Sequence, residues 1–168
     1  LTVVAASARS AGKSYEEAVG PRWAMTTPIP EEAKSLVVLD ALADRETIAS
    51  SVDFIFCAVD MKKEEIRALE ESYAKLECPV ISNNSAHRWA PDVPMVIPEV
   101  NPEHLQVIQA QKSRLGTRRG FIAVKSNCSI QSYAPALHPL RRFGITQVLV
   151  CTYQAISGAG KTFTTWPE

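Results

Sequence analysis

The chain lacks the patterns that would announce a metal site or a disulfide scaffold. Its four cysteines, Cys57, Cys78, Cys128 and Cys151, form no CxxC pair, and their wide spacing fits no zinc-ligand motif. No metal is expected, and a reducing, cytoplasmic compartment is the natural reading. Charge of one sign is not in excess either. The 18 Lys and Arg balance the 18 Asp and Glu, for a formal net charge of zero. That argues against a general nucleic-acid or membrane-surface binder, which needs a basic surplus. No apolar run approaches the roughly 20 residues that span a bilayer. Leu1 to Ala6 is apolar but short and has no basic leader, so a secretory signal is not expected. Internal repeats and low-complexity tracts are missing. No methionine opens the chain, which starts inside an apolar run and stops soon after a glycine-rich segment. Both ends read as cut from a longer protein.

What is present suits a globular α/β protein. The 168 residues suffice for one domain with a real core, and the apolar (46%) and charged (21%) fractions are ordinary. Short β-rich runs recur at Leu1–Ala6, Leu36–Leu39, Val52–Val59, Pro79–Ser82, Val93–Ile97, Gly120–Val124 and Ile145–Tyr153. Val52–Val59 is the clearest buried strand. Between strands, Lys62–Leu76 carries Ile66, Leu69, Tyr73 and Leu76 at helical spacing, with Asp60 available as its cap. Asn101 would cap a helix opening at Pro102, with Leu105, Ile108 and Leu115 inward. This alternation predicts a mainly parallel sheet covered by helices.

In such sheets, ligands bind at the carboxyl ends of strands. Three strand ends carry suitable residues. Ser7-Ala8-Arg9-Ser10-Ala11-Gly12-Lys13 offers hydroxyls, cations and a glycine, which suits a phosphate, specifically the extra phosphate of NADP. It also fits a solvated turn. Asn83-Asn84-Ser85-Ala86-His87-Arg88 offers amides, a hydroxyl and an arginine, which suits an anion or a capped turn equally. Ser126-Asn127-Cys128-Ser129-Ile130 places a cysteine between a strand and a helix-like run reaching about Arg142. Unpaired N–H groups and the positive end of a helix dipole favour a thiolate there. The same spacing fits a buried, inert cysteine. Pro135 falls inside that helix and should kink it or delay its start. Beyond Tyr153, the small residues of Gln154-Ala155-Ile156-Ser157-Gly158-Ala159-Gly160 would let a backbone approach a ligand closely.

Taken in order, the Ser7–Lys13 loop, Asn84-Ser85-Ala86-His87-Arg88, Asp92–Asn101, Ser126-Asn127-Cys128-Ser129 and Gln154–Gly160 resemble aspartate-semialdehyde dehydrogenase, in the branch found in archaea, fungi and some bacteria. The resemblance implies a partial Rossmann-like NADP-binding domain over residues 1–126. The start of an α+β catalytic and dimerisation domain would occupy 127–168. It implies NADP-dependent interconversion of L-aspartyl-4-phosphate with L-aspartate-4-semialdehyde and phosphate, a step in lysine, threonine and methionine biosynthesis. Cys128 would be the nucleophile that forms a thioester. Asn127 and the N–H of Cys128 would hold the oxyanion, and Gln154 would orient the substrate carbonyl. Arg88 would bind the phosphate group. Ser7, Arg9 and Ser10 would bind the 2′-phosphate of NADP, with Ala58, Ser85, Ser157 and Gly158 along the nicotinamide. The full-length protein would be a homodimer or homotetramer.

The chain departs from the family pattern in places. The family's glycine-rich loop precedes the strand that opens this chain, and its general acid/base histidine lies beyond Glu168. His87, His104 and His138 do not fill that role. Ile130 replaces a commoner threonine, and Cys57 a commoner serine. The parent protein is therefore expected to be active and these residues alone inactive. Malonyl-CoA reductase and N-acetyl-glutamyl-phosphate reductase share the scaffold and the cysteine chemistry. An inactive nucleotide-fold binding protein is the alternative of another class.

Overall fold

The short apolar runs become short parallel strands. The structure, a computed structural model, describes residues 3–6 and 8–159, apart from the side chains of Pro21, Ser157 and Ala159. The chain forms two compact units, Leu1–Asn127 and Cys128–Glu168.

In the first unit, β1 (Val4–Ala6) pairs in parallel with β2 (Val38–Asp40), Val4 opposite Val38 and Ala6 opposite Asp40. Leu1 and Thr2, expected in this strand, lie outside the described residues. Between the strands come α1 (Tyr15–Val19) and α2 (Glu31–Lys34). Ser14 starts α1: its hydroxyl accepts the N–H of Glu17, whose carboxylate accepts the N–H of Ser14. This reciprocal pair satisfies two donors that a helix start leaves unpaired. After α3 (Arg45–Ser51), a four-stranded parallel sheet forms in the order β3 (Ile55–Cys57), β4 (Val80–Ser82), β6 (Ile122–Lys125), β5 (Met95–Val96). α4 (Lys63–Lys75) links β3 to β4, and α5 (Ile108–Leu115) leads into β6. Parallel neighbours need such crossovers, so the expected α/β, Rossmann-like architecture is present.

The core joins the sheet to one face of α4. Val80, Ile122 and Val124 bury against Leu69, Tyr73 and Ala74, with Val93 from the loop before β5. Tyr73 keeps its polar end satisfied by donating to the carbonyl of Ala41 at 2.6 Å. Between β1 and β3, an apolar cavity of about 90 Å³ is lined by Val3, Ala5, Ile55, Cys57, Val59 and Tyr73, among others.

Several expectations change. The Val52–Val59 strand shrinks to Ile55–Cys57, and it is not buried on both faces: Phe54 and Phe56 stand 50% and 78% exposed. Among the described residues it pairs only with β4, at the sheet margin, and the face bearing Phe56 is open to solvent. Asp60 does not cap α4. Lys62 fills the capping position, and Glu65 accepts its N–H at 3.1 Å. Leu76 sits just past the helix and is 37% exposed. Asn101 does stand before the 3₁₀ turn at Pro102–Val107, but it caps nothing. Its amide instead clasps β5, accepting from Ile97 N–H and donating to Met95 C=O. The turn directs Leu105 outward, at 44% exposure, while Leu115 reaches the core.

The second unit begins with α6 (Cys128–Leu137), followed by a 3₁₀ turn at His138–Phe143. Pro135 does not delay the helix, which starts at Cys128. It lies inside the helix, two residues from its end, where it forgoes one i→i−4 bond, and Pro139 occupies the first turn of the 3₁₀ segment. Gly144 closes that segment at φ +73°, a left-handed conformation suited to glycine. The expected strand at Ile145–Tyr153 does not form. A strand is defined by its ladder partners, and none pairs with this run among the described residues. Leu149 and Tyr153 are 95% and 100% exposed.

Candidate active site

The turn after β1 is pinned to β2 from both sides. Gly12 N–H donates to Val38 C=O, and Val38 N–H donates to Lys13 C=O, each at 2.8 Å. Gly12 adopts φ +82°, which lets the turn close. Ahead of it opens a cavity of about 920 Å³, lined by Arg9, Ser10 and Lys13 from this turn, Arg22 behind α1, and Ala58 after β3. Two of the acids lining it are engaged locally. The carboxylate of Asp40 accepts the N–H groups of Ala43 and Leu42, which hold it below its usual pKa. That of Glu17 takes the Ser14 N–H and hydroxyl contacts, with the same effect. Asp60 also lines the cavity, so cations and acids both face it, with Arg9, Lys13 and Arg22 supplying the positive charge an anion would meet. Arg9, Ser10 and Ala58 share this cavity. Ser7 lies outside the described residues.

The second strand end is the loop leaving β4. Asn83 N–H donates to Cys57 C=O at 2.8 Å, which continues the strand pairing for one residue. Ser85 is exposed, away from the cavity lining. Arg88 is fixed by its Nε, which donates to Lys125 C=O at 3.1 Å, and by Nη2, 3.4 Å from Asn83 C=O. A guanidinium has more N–H donors than these two bonds use. Arg88 thereby sits at the carboxyl ends of both β4 and β6.

The third strand end is that of β6. Ser126 is buried and Asn127 exposed. In the second unit, Cys128 is the first residue of α6 and is exposed. The amide Nε2 of Gln154 lies 3.8 Å from Cys128 Sγ, across 26 residues of sequence. Gly158 protects that approach, because a Cβ built there would come within 2.6 Å of Gln154 Nε2. The Ser157 side chain lies outside the described part of the structure. The other thiols differ. Cys57 and Cys78 are buried, and burial, followed by the nearby Glu70 charge, pushes Cys57 up to about 12. Cys151 is exposed in the irregular segment. Among the described residues, no group of acidic, histidine and cysteine side chains could hold a metal.

Residues 1–108 match the family model described as semialdehyde dehydrogenase, NAD binding domain. The chain belongs to this family. Relatives named aspartate-semialdehyde dehydrogenase support the resemblance seen in the five motifs. The protein of Aspergillus fumigatus is 38% identical over 95% of this chain and 43% of its own length. That of Archaeoglobus fulgidus is 39% identical over 95% and 44%. Among solved structures, aspartate semialdehyde dehydrogenase with NADP from Candida albicans superposes with a TM-score of 0.69 at 32% identity, over 84% of this chain and 39% of that one. The chain therefore spans less than half the length of the curated relatives it matches.

For a semialdehyde dehydrogenase NAD-binding domain, two features of the large cavity escaped the sequence reading. Arg22 lies nine residues past Lys13 behind a proline, and only folding of α1 brings it to the same cavity. Lys13 was visible in the loop motif but undistinguished there from a solvated lysine. No helix among the described residues is long and apolar enough to cross a membrane.

Proposed function

We propose that the whole protein is an NADP-dependent aspartate-semialdehyde dehydrogenase that forms a thioester on Cys128. In this reading, residues 1–126 are part of its NADP-binding domain and 127–168 open its catalytic and dimerisation domain. The observation that carries the proposal is the approach of Gln154 Nε2 to Cys128 Sγ at the head of α6, in a chain of this family.

The Cys128 thiolate attacks the acyl carbon of L-aspartyl-4-phosphate. The new S–C bond forms and the C–O bond to phosphate breaks. Thiolate chemistry suits both the attack and the later departure of sulfur. Asn127 and the N–H of Cys128 stabilise the oxyanion as it develops, and one such donor is worth about 3 kcal/mol of barrier. Gln154 orients the carbonyl beside the sulfur. Arg88 holds the departing phosphate through guanidinium N–H groups. NADPH, when bound, supplies the hydride that reduces the thioester. The hemithioacetal on Cys128 then collapses, releasing aldehyde and thiolate. The family's proton-transferring histidine is not among His87, His104 and His138.

The large cavity fits the cofactor. Its size, and the cations Arg9, Lys13 and Arg22 beside Ser10, suit a phosphorylated ribose. Arg9 and Ser10, with Ser7 before them, would hold the 2′-phosphate and so favour NADP. Ala58, Ser85, Ser157 and Gly158 are assigned to the nicotinamide side. The relative from Candida albicans was solved with NADP. A homodimer or homotetramer in the cytoplasm completes the proposal.

Full-length protein should reduce NADP⁺ with L-aspartate-4-semialdehyde only when phosphate is added, and residues 1–168 alone should not. Reduction of malonyl-CoA or N-acetyl-glutamyl phosphate in place of aspartyl phosphate would assign the protein to one of the sister activities. Absence of all three would leave a nucleotide-binding protein without this chemistry.

A further inference from the structure

The loop that carries Ser85 and Arg88 is held from behind by a buried acid. Glu70 lies on the inner face of α4 and is 1% exposed. Its Oε1 accepts the hydroxyl of Ser82, the last residue of β4, at 2.5 Å. The same oxygen takes a weaker contact from Asn84 Nδ2 at 3.4 Å. Ser82 Oγ in turn accepts the backbone N–H of Asn84 at 3.0 Å. The other carboxylate oxygen, Oε2, faces His87 Nε2 at 3.5 Å, and His87 is 3% exposed. Burial holds the His87 imidazole below its ordinary pKa. One turn earlier on the same helix, Arg67 Nε donates to Ala86 C=O at 2.7 Å. α4 therefore grips the chain at Ser82, Asn84 and Ala86, on either side of Ser85, while His87 packs against Glu70 Oε2 without a hydrogen bond.

A carboxyl group this buried is costly unless its oxygens are bonded, and apolar residues would serve packing alone at least as well. Its bonded oxygen, Oε1, reaches the end of β4 and the loop rather than a neighbouring helix, and Oε2 is left facing His87. These contacts fix the direction in which the chain leaves β4, and hence where Ser85 is presented and where the Arg88 guanidinium meets the end of β6. We infer that Glu70 is a positioning residue for the Asn83–Arg88 loop, setting the affinity for phosphate and for the nicotinamide half of the cofactor without touching either. This rests on the roles given above to Arg88 and Ser85.

The test uses the full-length protein with Glu70→Ala and Glu70→Gln. Glu70→Gln keeps an oxygen acceptor for Ser82 and an amide to face His87. Glu70→Ala should raise KM for phosphate and the Kd for NADP by about tenfold, the scale of one lost charge-assisted hydrogen bond. kcat should change by less than about threefold, and Glu70→Gln should restore both constants to within about threefold of the parent. Thermal unfolding is measured alongside. A lower Tm with unchanged KM and Kd would mean that Glu70 only supports the fold, and would overturn the inference. So would a Glu70→Gln variant as impaired as Glu70→Ala. If Glu70→Ala does not fold, Ser82→Ala removes the same link from the other side. A parent-like KM and Kd in that variant overturns the inference equally. NADP titration by fluorescence needs no turnover. A protein that binds NADP but lacks the proposed activity would contradict the proposed function while the cofactor half of this inference is still decided.

Discussion

Gln111 completes the backbone pairing of Ile122 with its side chain. Its Oε1 accepts the Ile122 N–H at 2.6 Å and its Nε2 donates to the Ile122 C=O at 3.0 Å, both fully buried, with a further bond to Asp92 C=O at 2.9 Å. A glutamine on α5 thus acts as a short strand beside the start of β6, where β5 has not yet begun to pair. Replacing it with alanine leaves a buried donor and acceptor unpaired, each costing about 1–3 kcal/mol. Gln111→Ala should therefore lower unfolding stability by at least about 2 kcal/mol in urea titrations. Gln111→Glu should be no better, because it cannot donate to the Ile122 carbonyl when ionised. Parent-like stability of Gln111→Ala would contradict this account.

Gly120 permits the close passage of β6 under the end of α4. A Cβ placed there would lie 1.8 Å from the carbonyl oxygen of Ala74. That neighbour is helix backbone and cannot swing aside. Gly120→Ala should cost about 1–3 kcal/mol or more through overpacking, read as a fall in soluble yield and Tm. An unchanged Tm would show that the helix end moves freely.

Glu77 carries a pH dependence. Its carboxylate accepts the N–H groups of Arg118, Gly120 and Arg119, which lowers its pKa from 4.5 to about 2. A depressed acid contributes stability that is fully present above its unfolded pKa and is lost as pH falls through the folded value. The contribution should accordingly fade between about pH 4.5 and 2. Glu77→Gln should flatten the fall in Tm across that window, and an unchanged profile would contradict the assignment. Because Glu77 is only half-buried, the effect should also shrink in high salt.

Thiol reactivity should separate the cysteines. Cys57, pushed up to about 12 and buried, is expected to resist alkylation in the folded protein, as is buried Cys78, whereas Cys128 should react. Peptide mapping after brief iodoacetamide treatment checks this. Labelling of Cys57 at the rate of Cys128 would contradict it. Cys57→Ala should retain turnover.

Much of the first unit was legible because parallel strands and α4 announce themselves by local pattern. Ile66, Leu69 and Tyr73 recur at helical spacing and all three are buried. What was hidden depends on neighbours. Ile145–Tyr153 has the residues of a strand, yet a strand exists only where another one pairs with it. Phe54 and Phe56 read as core residues, but their burial depends on what covers the sheet margin. Nothing in the sequence sets Glu70 and Gln111 apart from ordinary polar positions on helices, because a buried hydrogen bond to a residue distant in sequence leaves no periodic trace. The positions of Cys128 and Arg88 at strand ends could be read from the order of elements. The approach of Gln154 to Cys128 came only through the family resemblance, since a helix, a 3₁₀ turn and an irregular segment separate the two residues and no local pattern joins them.

The most direct measurement of the central claim is intact-protein and peptide mass spectrometry of the full-length protein mixed with L-aspartate-4-semialdehyde and NADP⁺ without phosphate. Oxidation without an acceptor should trap an aspartyl thioester on the peptide bearing Cys128, removed by added phosphate and absent from Cys128→Ala, which should also show no turnover. An adduct on a different cysteine, or turnover by Cys128→Ala, would contradict the account.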